Sequence, residues 1–276
     1  MTKNDFESYI AGYLKDQRES LIREAMAYAM EGGKRFRPRI VFAIAKGFGM
    51  AEEKTYPAAL ALEMIQTYSL IHDDLPAMDD DDFRRGKPSL HKAFREDIAI
   101  LTGDALLTDA FRVLATAPYT DEVKAKIIAA FGSYAGMDGM IYGQLLDVTA
   151  DETSIDLAKL QEIQENKTGG LFKIACLIPM YLKGIDDEKY HISLGSLIGR
   201  IFQNQDDLFD LIRTKEEMGK EPSDIKNQKG TALSLYTVKE LQDLIDEEFR
   251  ELDELLKGAQ FDTEELKELL KLLRER

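Results

Sequence analysis

Apolar residues recur every three or four positions along nearly the whole of this 276-residue chain, as in Leu60, Met64, Tyr68 and Ile71, or Leu241, Leu244, Ile245 and Phe249. That spacing gathers them on one face of an α-helix, whereas a half-buried strand would alternate them. No segment shows convincing strand alternation. Breakers fall between the runs at Gly32-Gly33, Pro76, Gly86-Lys87-Pro88, Pro118, Gly184, Gly219 to Pro222 and Gly258, dividing the chain into about a dozen helices of roughly 15 to 20 residues. No low-complexity linker splits it, and 44% apolar content supplies a substantial core, so the expectation is one all-α domain over residues 1–276. Towards the end, Val238 to Lys257 reads as an amphipathic helix. Asp262 with Glu265 three residues later resembles a capping box opening a final helix that ends near Arg274.

Charge and cysteine usage narrow the functional classes. Thirty-six Lys and Arg against 51 Asp and Glu give a net charge of −15, which argues against a broadly basic surface for nucleic acid or anionic membrane. The lone Cys176 excludes an internal disulfide framework and fits a reducing compartment. Residues 1–20 lack the apolar stretch of a signal peptide, and nowhere do eighteen apolar residues run together uncharged, so a cytoplasmic protein without stable membrane insertion is expected.

The chemistry is expected where acids crowd. Asp73-Asp74-Leu75-Pro76-Ala77-Met78-Asp79 and Asp206-Asp207-Leu208-Phe209-Asp210 each stand at the end of an apolar helical run. Carboxylates this close repel one another and take up protons in a partly dry site unless a cation compensates them. With oxygen donors and neither His nor Cys in the second cluster, Mg²⁺ is the natural compensator, completed by water and substrate phosphates. Asp206 and Asp210, four apart, project from one helical face. Asp73 and Asp79 differ by about 600° of helical rotation, so their convergence requires Pro76 to interrupt the helix. An EF-hand is excluded, because neither Asp73 nor Asp79 has the Gly and Glu that such a loop needs. Three histidines, His72, His91 and His191, are too few for a His-rich binuclear hydrolase.

A basic turn provides the counterpart. Gly32-Gly33-Lys34-Arg35-Phe36-Arg37-Pro38 sets two glycines before a helix start, with Pro38 suited to its first position. Backbone amides there favour an anion, and Lys34 and Arg37 can share a face, so a diphosphate held without metal is a concrete expectation. Arg84 and Arg85 follow the first acidic run, and Lys167, Lys220 and Lys229 are further candidate cations.

Taken in order, Gly32 to Pro38, Asp73 to Asp79 with Arg84-Arg85-Gly86, Gly143-Gln144-Leu145-Leu146-Asp147, Lys167-Thr168-Gly169 and Phe202 to Asp210 resemble the motifs of the trans-isoprenyl diphosphate synthases, or polyprenyl synthetases. The likeness runs from about Met26 to the C-terminus and is nearest the bacterial farnesyl branch. It implies about ten antiparallel helices around a deep cavity, an isoprenoid synthase fold, with both aspartate motifs at the mouth, usually in a homodimer. It also implies three Mg²⁺ held directly by Asp73, Asp79 and Asp206, with Asp74 and Asp210 in support. Those ions, with Arg84, Lys167 and Lys220, would bind the diphosphate of dimethylallyl or geranyl diphosphate. Lys34, Arg37 and Arg85 would hold isopentenyl diphosphate, and Gln66 stands where bacterial relatives usually carry His for the same substrate. Thr168 and Gln203 would face the developing allylic cation. Tyr68, with Ser69, precedes Asp73 by about a turn and would floor the pocket for the growing chain. Together with the two residues Pro76-Ala77 inside the first motif, that points to a C15 product, the alternatives being geranyl or geranylgeranyl diphosphate. Arg200 departs from the small or apolar residue the resemblance leads one to expect, and the segment after Lys229 lacks the expected Tyr. A terpene cyclase would require a different second motif, and a non-catalytic partner subunit usually loses one of the two.

Overall fold

The computed structural model describes residues 3–150, 156–212 and 236–274, with side chains from residue 5 and, in the second stretch, to residue 209. Lys220 and Lys229 lie outside these residues, as does the side chain of Asp210. The described chain is almost wholly helical. In order it forms α1 (Lys3–Lys15), α2 (Leu21–Met30), α3 (Phe36–Gly47), a 3₁₀ turn (Glu52–Thr55), α4 (Tyr56–Asp73), β1 (Phe83–Arg84), β2 (Lys87–Pro88), α5 (Leu90–Ala93), α6 (Glu96–Thr116), α7 (Asp121–Ala135), α8 (Met140–Thr149), α9 (Leu157–Lys167), α10 (Gly169–Lys183), α11 (Glu188–Ile212), α12 (Val238–Leu256) and α13 (Glu264–Arg274). None of the described helices is long and apolar enough to cross a membrane.

Two helices are interior because they have no polar side. From Gly169 to Tyr181 every residue of α10 is buried, and in α4 the run Tyr56–Ile65 is buried throughout. A helix apolar all round must be surrounded. Accordingly α4 packs chiefly on α6, and α10 on α11, with α3 and α7 against α10 as well. The amphipathic α12 and α13 instead bury one stripe each, Leu241, Ile245, Phe249 and Leu252 in α12 and Leu266, Leu269, Leu270 and Leu273 in α13. They cover α11 and α3 from outside.

Three local details differ from the sequence expectation. A two-stranded hairpin pairs Phe83 with Pro88 and Arg84 with Lys87. Its turn residues Arg85 and Gly86 both have positive φ, 54° and 75°, the signature of a type I′ connection, and strands of two residues are too short to show alternation. The helix after the basic turn opens at Phe36 rather than Pro38, which still falls in the first turn where a missing N–H breaks no helical bond. The capping box belongs to α12, where Thr237 and Glu240 cap each other, and not to α13. There Asp262 accepts from the Glu264 amide at 3.0 Å, while Glu265 is drawn away by an ion pair with Lys46.

One carboxyl is enclosed where α12 meets α11. Glu248 accepts from Asn204 Nδ2 at 3.0 Å and lies 3.6 Å from Arg200 Nε. Burial pushes its carboxyl up to about 7, against the opposing pull of Asn204 and Arg200. The folded chain therefore holds this proton longer than the unfolded chain does. Its contribution to stability is complete below the ordinary pKa of 4.5 and is lost as pH rises through about 7. Glu248→Gln removes that dependence, so between pH 5 and pH 8 its melting temperature should move relative to the native chain by roughly 5 °C in the variant's favour. Scanning calorimetry at the two pH values checks this, and a pH-independent difference contradicts it.

Candidate active site

The first acidic motif is shaped by the end of α4. The helix stops at Asp73, the chain reverses through Pro76, and the Asp79 amide donates back to the Asp73 carbonyl at 2.9 Å. A second return bond runs from the Asp80 amide to the Leu75 carbonyl at 3.1 Å, with Asp80 in a left-handed conformation (φ 48°). The interruption at Pro76 thus brings Asp79 back to Asp73 across a tight loop. Both Asp206 and Asp210 belong to α11, one turn apart on a continuous helix.

These elements wall a cavity of about 880 Å³, within the range of small-molecule sites. Asp73 and Asp206 line it, together with Lys34, Arg37, Gln66, Arg85, Lys167, Thr168 and Gln203. Tyr68 and Ser69 lie in the wall contributed by α4, and Leu107, Met140, Ile141, Leu145 and Val148 add an apolar surface from α6 and α8. One space therefore combines cations, acids and a greasy wall.

The charges are held in distinct ways. Arg37 lays its guanidinium over the Phe172 ring at 4.4 Å and nearer the edge of reach to Phe202 at 5.7 Å, and its Nε is buried without a hydrogen-bond partner. Burial pulls it down to about 10, which leaves it a cation at neutral pH. Lys167 pairs with Asp147 at 2.5 Å. That approach depends on Gly143, since a Cβ there would meet the Lys167 backbone nitrogen at 2.2 Å. Thr168 donates its hydroxyl to Gln203 Oε1 at 2.8 Å. Gln144, also in the wall, has both amide atoms buried and unpartnered.

Asp73 carries the clearest electrostatic mark. Burial, with help from Asp79 and Asp74 and against the pull of Lys167 and Arg84, pushes its carboxyl up to about 6. Ionising Asp73 in this enclosure is costly without a closer counter-charge, and hard oxygen donors are what it offers a cation. Among the described residues no three acidic, His or Cys side chains close around a point by themselves. Acids standing on separate walls suit an ion that bridges to phosphate oxygens and water. The donor set therefore fits a hard divalent cation bound together with an anionic ligand.

The sequence of residues 19–273 matches the profile of the polyprenyl synthetase family. The chain belongs to that family. It is 39% identical to the farnesyl diphosphate synthase of Micrococcus luteus, over 94% of this chain and 90% of that protein. It is 37% identical to geranylgeranyl pyrophosphate synthase 7 of Arabidopsis thaliana, over 97% and 82% respectively. Its fold superposes on a geranyltransferase of Helicobacter pylori, solved with magnesium and isoprenyl diphosphate, with a TM-score of 0.85 at 29% identity, covering 99% of this chain and 96% of that one.

This polyprenyl synthetase keeps Asp74, Asp79 and Arg84 outside the cavity lining. Asp74, 2% exposed, accepts Arg84 Nε at 2.8 and 3.1 Å, and Arg84 also reaches Asp81 at 3.1 Å. The pair lines a small neighbouring pocket instead. Sequence reasoning passed over Glu63, which lines the cavity at 4% exposure, 2.6 Å from Arg35 and 3.9 Å from Arg85. Its signal was a single carboxylate in the apolar run Ala58 to Ile65. Asp147, the partner of Lys167, was visible only as part of a motif.

Glu63→Ala leaves Arg35 buried with one acid fewer and releases Arg85. The unfolding free energy should fall by about 3 kcal/mol. Denaturant titration measures that, and an unchanged midpoint contradicts it.

Proposed function

We propose that this chain condenses isopentenyl diphosphate with dimethylallyl or geranyl diphosphate, releases diphosphate, and makes farnesyl diphosphate. The observation that carries the reading is one cavity in which Asp73 and Asp206, the cations Lys34, Arg37, Arg85 and Lys167, and an apolar wall all face the same space. A prenyl diphosphate has those same two halves, an anion and a hydrocarbon.

Asp73, Asp79 and Asp206, with Asp210, would hold Mg²⁺, three ions in our reading. Mg²⁺ so bound supplies charge stabilisation to the departing diphosphate. Lys167, fixed by Asp147, stands beside Asp73 to take part of the same charge. Arg84 clamps Asp74 in the resting chain and would support the first motif from behind, with Lys220 added from the segment beyond α11. Arg37 and Arg85, with Lys34 and Gln66, would receive the diphosphate of isopentenyl diphosphate. Arg37 suits this because aromatic faces, rather than carboxylates, hold it in place. The Thr168 and Gln203 oxygens present lone pairs toward positive charge in the allylic fragment. The apolar wall excludes water, which would otherwise capture that cation. The proton lost after carbon–carbon bond formation passes to the released diphosphate, since no lone His or Cys in the wall is required as base.

Chain length would be set where Tyr68 stands. Its ring packs edge-on against His72 at 5.8 Å, one turn from Asp73, so growth past it meets a filled space. A homodimer fits the exposed apolar residues Ile100 and Leu101 of α6, which lie outside the cavity lining.

Purified protein incubated with Mg²⁺, isopentenyl diphosphate and each allylic starter should give a C15 alcohol after dephosphorylation, resolved by chromatography. Absence of prenyl product with every starter refutes the reading, and a C20 product favours the geranylgeranyl alternative. Tyr68→Ala should lengthen the product in the same assay. Asp73→Ala or Asp206→Ala should lower turnover by at least ~10²-fold with circular dichroism unchanged.

A further inference from the structure

From the cavity wall a chain of side chains, all but Gln203 buried, leads away from the substrate space and ends on α12. Thr168 donates to Gln203 Oε1 at 2.8 Å, and Gln203 Nε2 donates to Asp207 Oδ1 at 2.9 Å. Gln164 Nε2 donates to Asn204 Oδ1 at 3.2 Å and reaches Asp207 Oδ2 at 3.5 Å. Asn204 Nδ2 then donates to Glu248 Oε2 at 3.0 Å. Thr168, Gln164, Asn204, Asp207 and Glu248 are each no more than 8% exposed, so water cannot stand in for a missing partner.

The direction of every bond in this chain is dictated from its far end. Glu248 accepts from Asn204 through Oε2, which a proton on its other oxygen does not prevent, and an amide has one accepting and one donating end. Glu248 therefore turns the Asn204 NH₂ towards α12, which leaves the Asn204 carbonyl for Gln164. Gln164 must then present its NH₂ to both Asn204 and Asp207. With Asp207 accepting from Gln164 on one oxygen and Gln203 on the other, the Gln203 carbonyl faces Thr168 at the cavity. Arg200 secures the outer end, 3.6 Å from Glu248 and 3.3 Å from Glu251. The residue that was out of place in the sequence thus has two acidic partners on α12.

We infer that Glu248 is a positioning residue that fixes the orientation of Gln203 and Thr168 in the cavity wall through this relay of amides. The inference rests on the reading of Gln203 and Thr168 as residues that face the allylic substrate. Glu248 lies on α12 and is absent from the cavity lining, so any effect it has on the reaction passes through other side chains.

A double-mutant cycle tests the relay. Glu248→Ala alone should lower kcat about tenfold while KM for isopentenyl diphosphate stays within about twofold, the signature of misplacement rather than lost binding. In a Gln203→Ala background the same substitution should change kcat less than about twofold, because the relay then has no end to orient. Glu248→Gln, whose carbonyl can still accept from Asn204, should restore kcat to within about threefold of native. If Glu248→Ala does not fold, Glu248→Leu fills the space without an acceptor and takes its place. Native kcat in Glu248→Ala or Glu248→Leu, or full additivity with Gln203→Ala, overturns the relay while leaving the prenyl-transfer reading intact. Native kcat in Gln203→Ala overturns the assignment of Gln203 and the relay with it.

Discussion

A carboxylate enclosed by apolar helices has to be matched by positive charge, and Glu63 imposes that condition on everything around it. Arg35 meets it from the turn before α3, 2.6 Å away. The same guanidinium reaches Glu7 on α1 at 2.8 Å and also donates to the Met30 carbonyl at the end of α2. One side chain thereby ties four helices together. Its own backbone is left-handed, φ 51°, a conformation that costs a non-glycine residue of order 1 kcal/mol and persists only when its surroundings fix it. Gly32 and Gly33, both at positive φ, bring the chain into that turn without a similar cost. Lys34, in the turn, and Arg37, in the first turn of α3, then reach the cavity on either side of Arg35.

How much of this was legible depends on whether the cause was local. Helical periodicity and the breakers between runs are local, and they gave the all-α architecture and most helix ends. The placing of Asp206 and Asp210 on one face followed from a spacing of four, and the turn at Pro76 followed from the impossibility of bringing Asp73 and Asp79 together on a helix. The Phe83–Pro88 hairpin was hidden because two-residue strands carry no periodicity. Glu265 was misread because its partner, Lys46, lies 219 residues away. The set of Glu63, Arg35 and Arg85 was invisible for the same reason: a charge in an apolar run announces that a partner exists but not which one. Arg84 and Asp74 were each expected at the site, but their pairing with one another was not.

Net charge and local charge separate cleanly here. The chain carries −15, yet the cavity gathers Lys34, Arg37, Arg85 and Lys167. Several of these cations are restrained by something that does not cancel them fully. Arg37 lies on aromatic faces, and Arg85 stands 3.9 Å from a carboxylate already occupied by Arg35. Such arrangements leave field available to a ligand, because little reorganisation is needed when the ligand's charge arrives. Asp73 shows the complementary state, a carboxyl held near 6 by enclosure among other acids.

The hairpin carries a consequence for sequence variation. Arg84 is in a strand and Arg85, its neighbour, is in a left-handed turn, so two adjacent identical side chains are sent to separate destinations, one to Asp74 and the other toward Glu63. Composition alone would treat them as interchangeable. Inserting or deleting a single residue between Asp82 and Gly86 would shift the register, delivering an arginine to the wrong acid while conserving charge and length almost perfectly. The hairpin Phe83–Pro88 is therefore a place where point substitutions are graded in effect but indels act as switches.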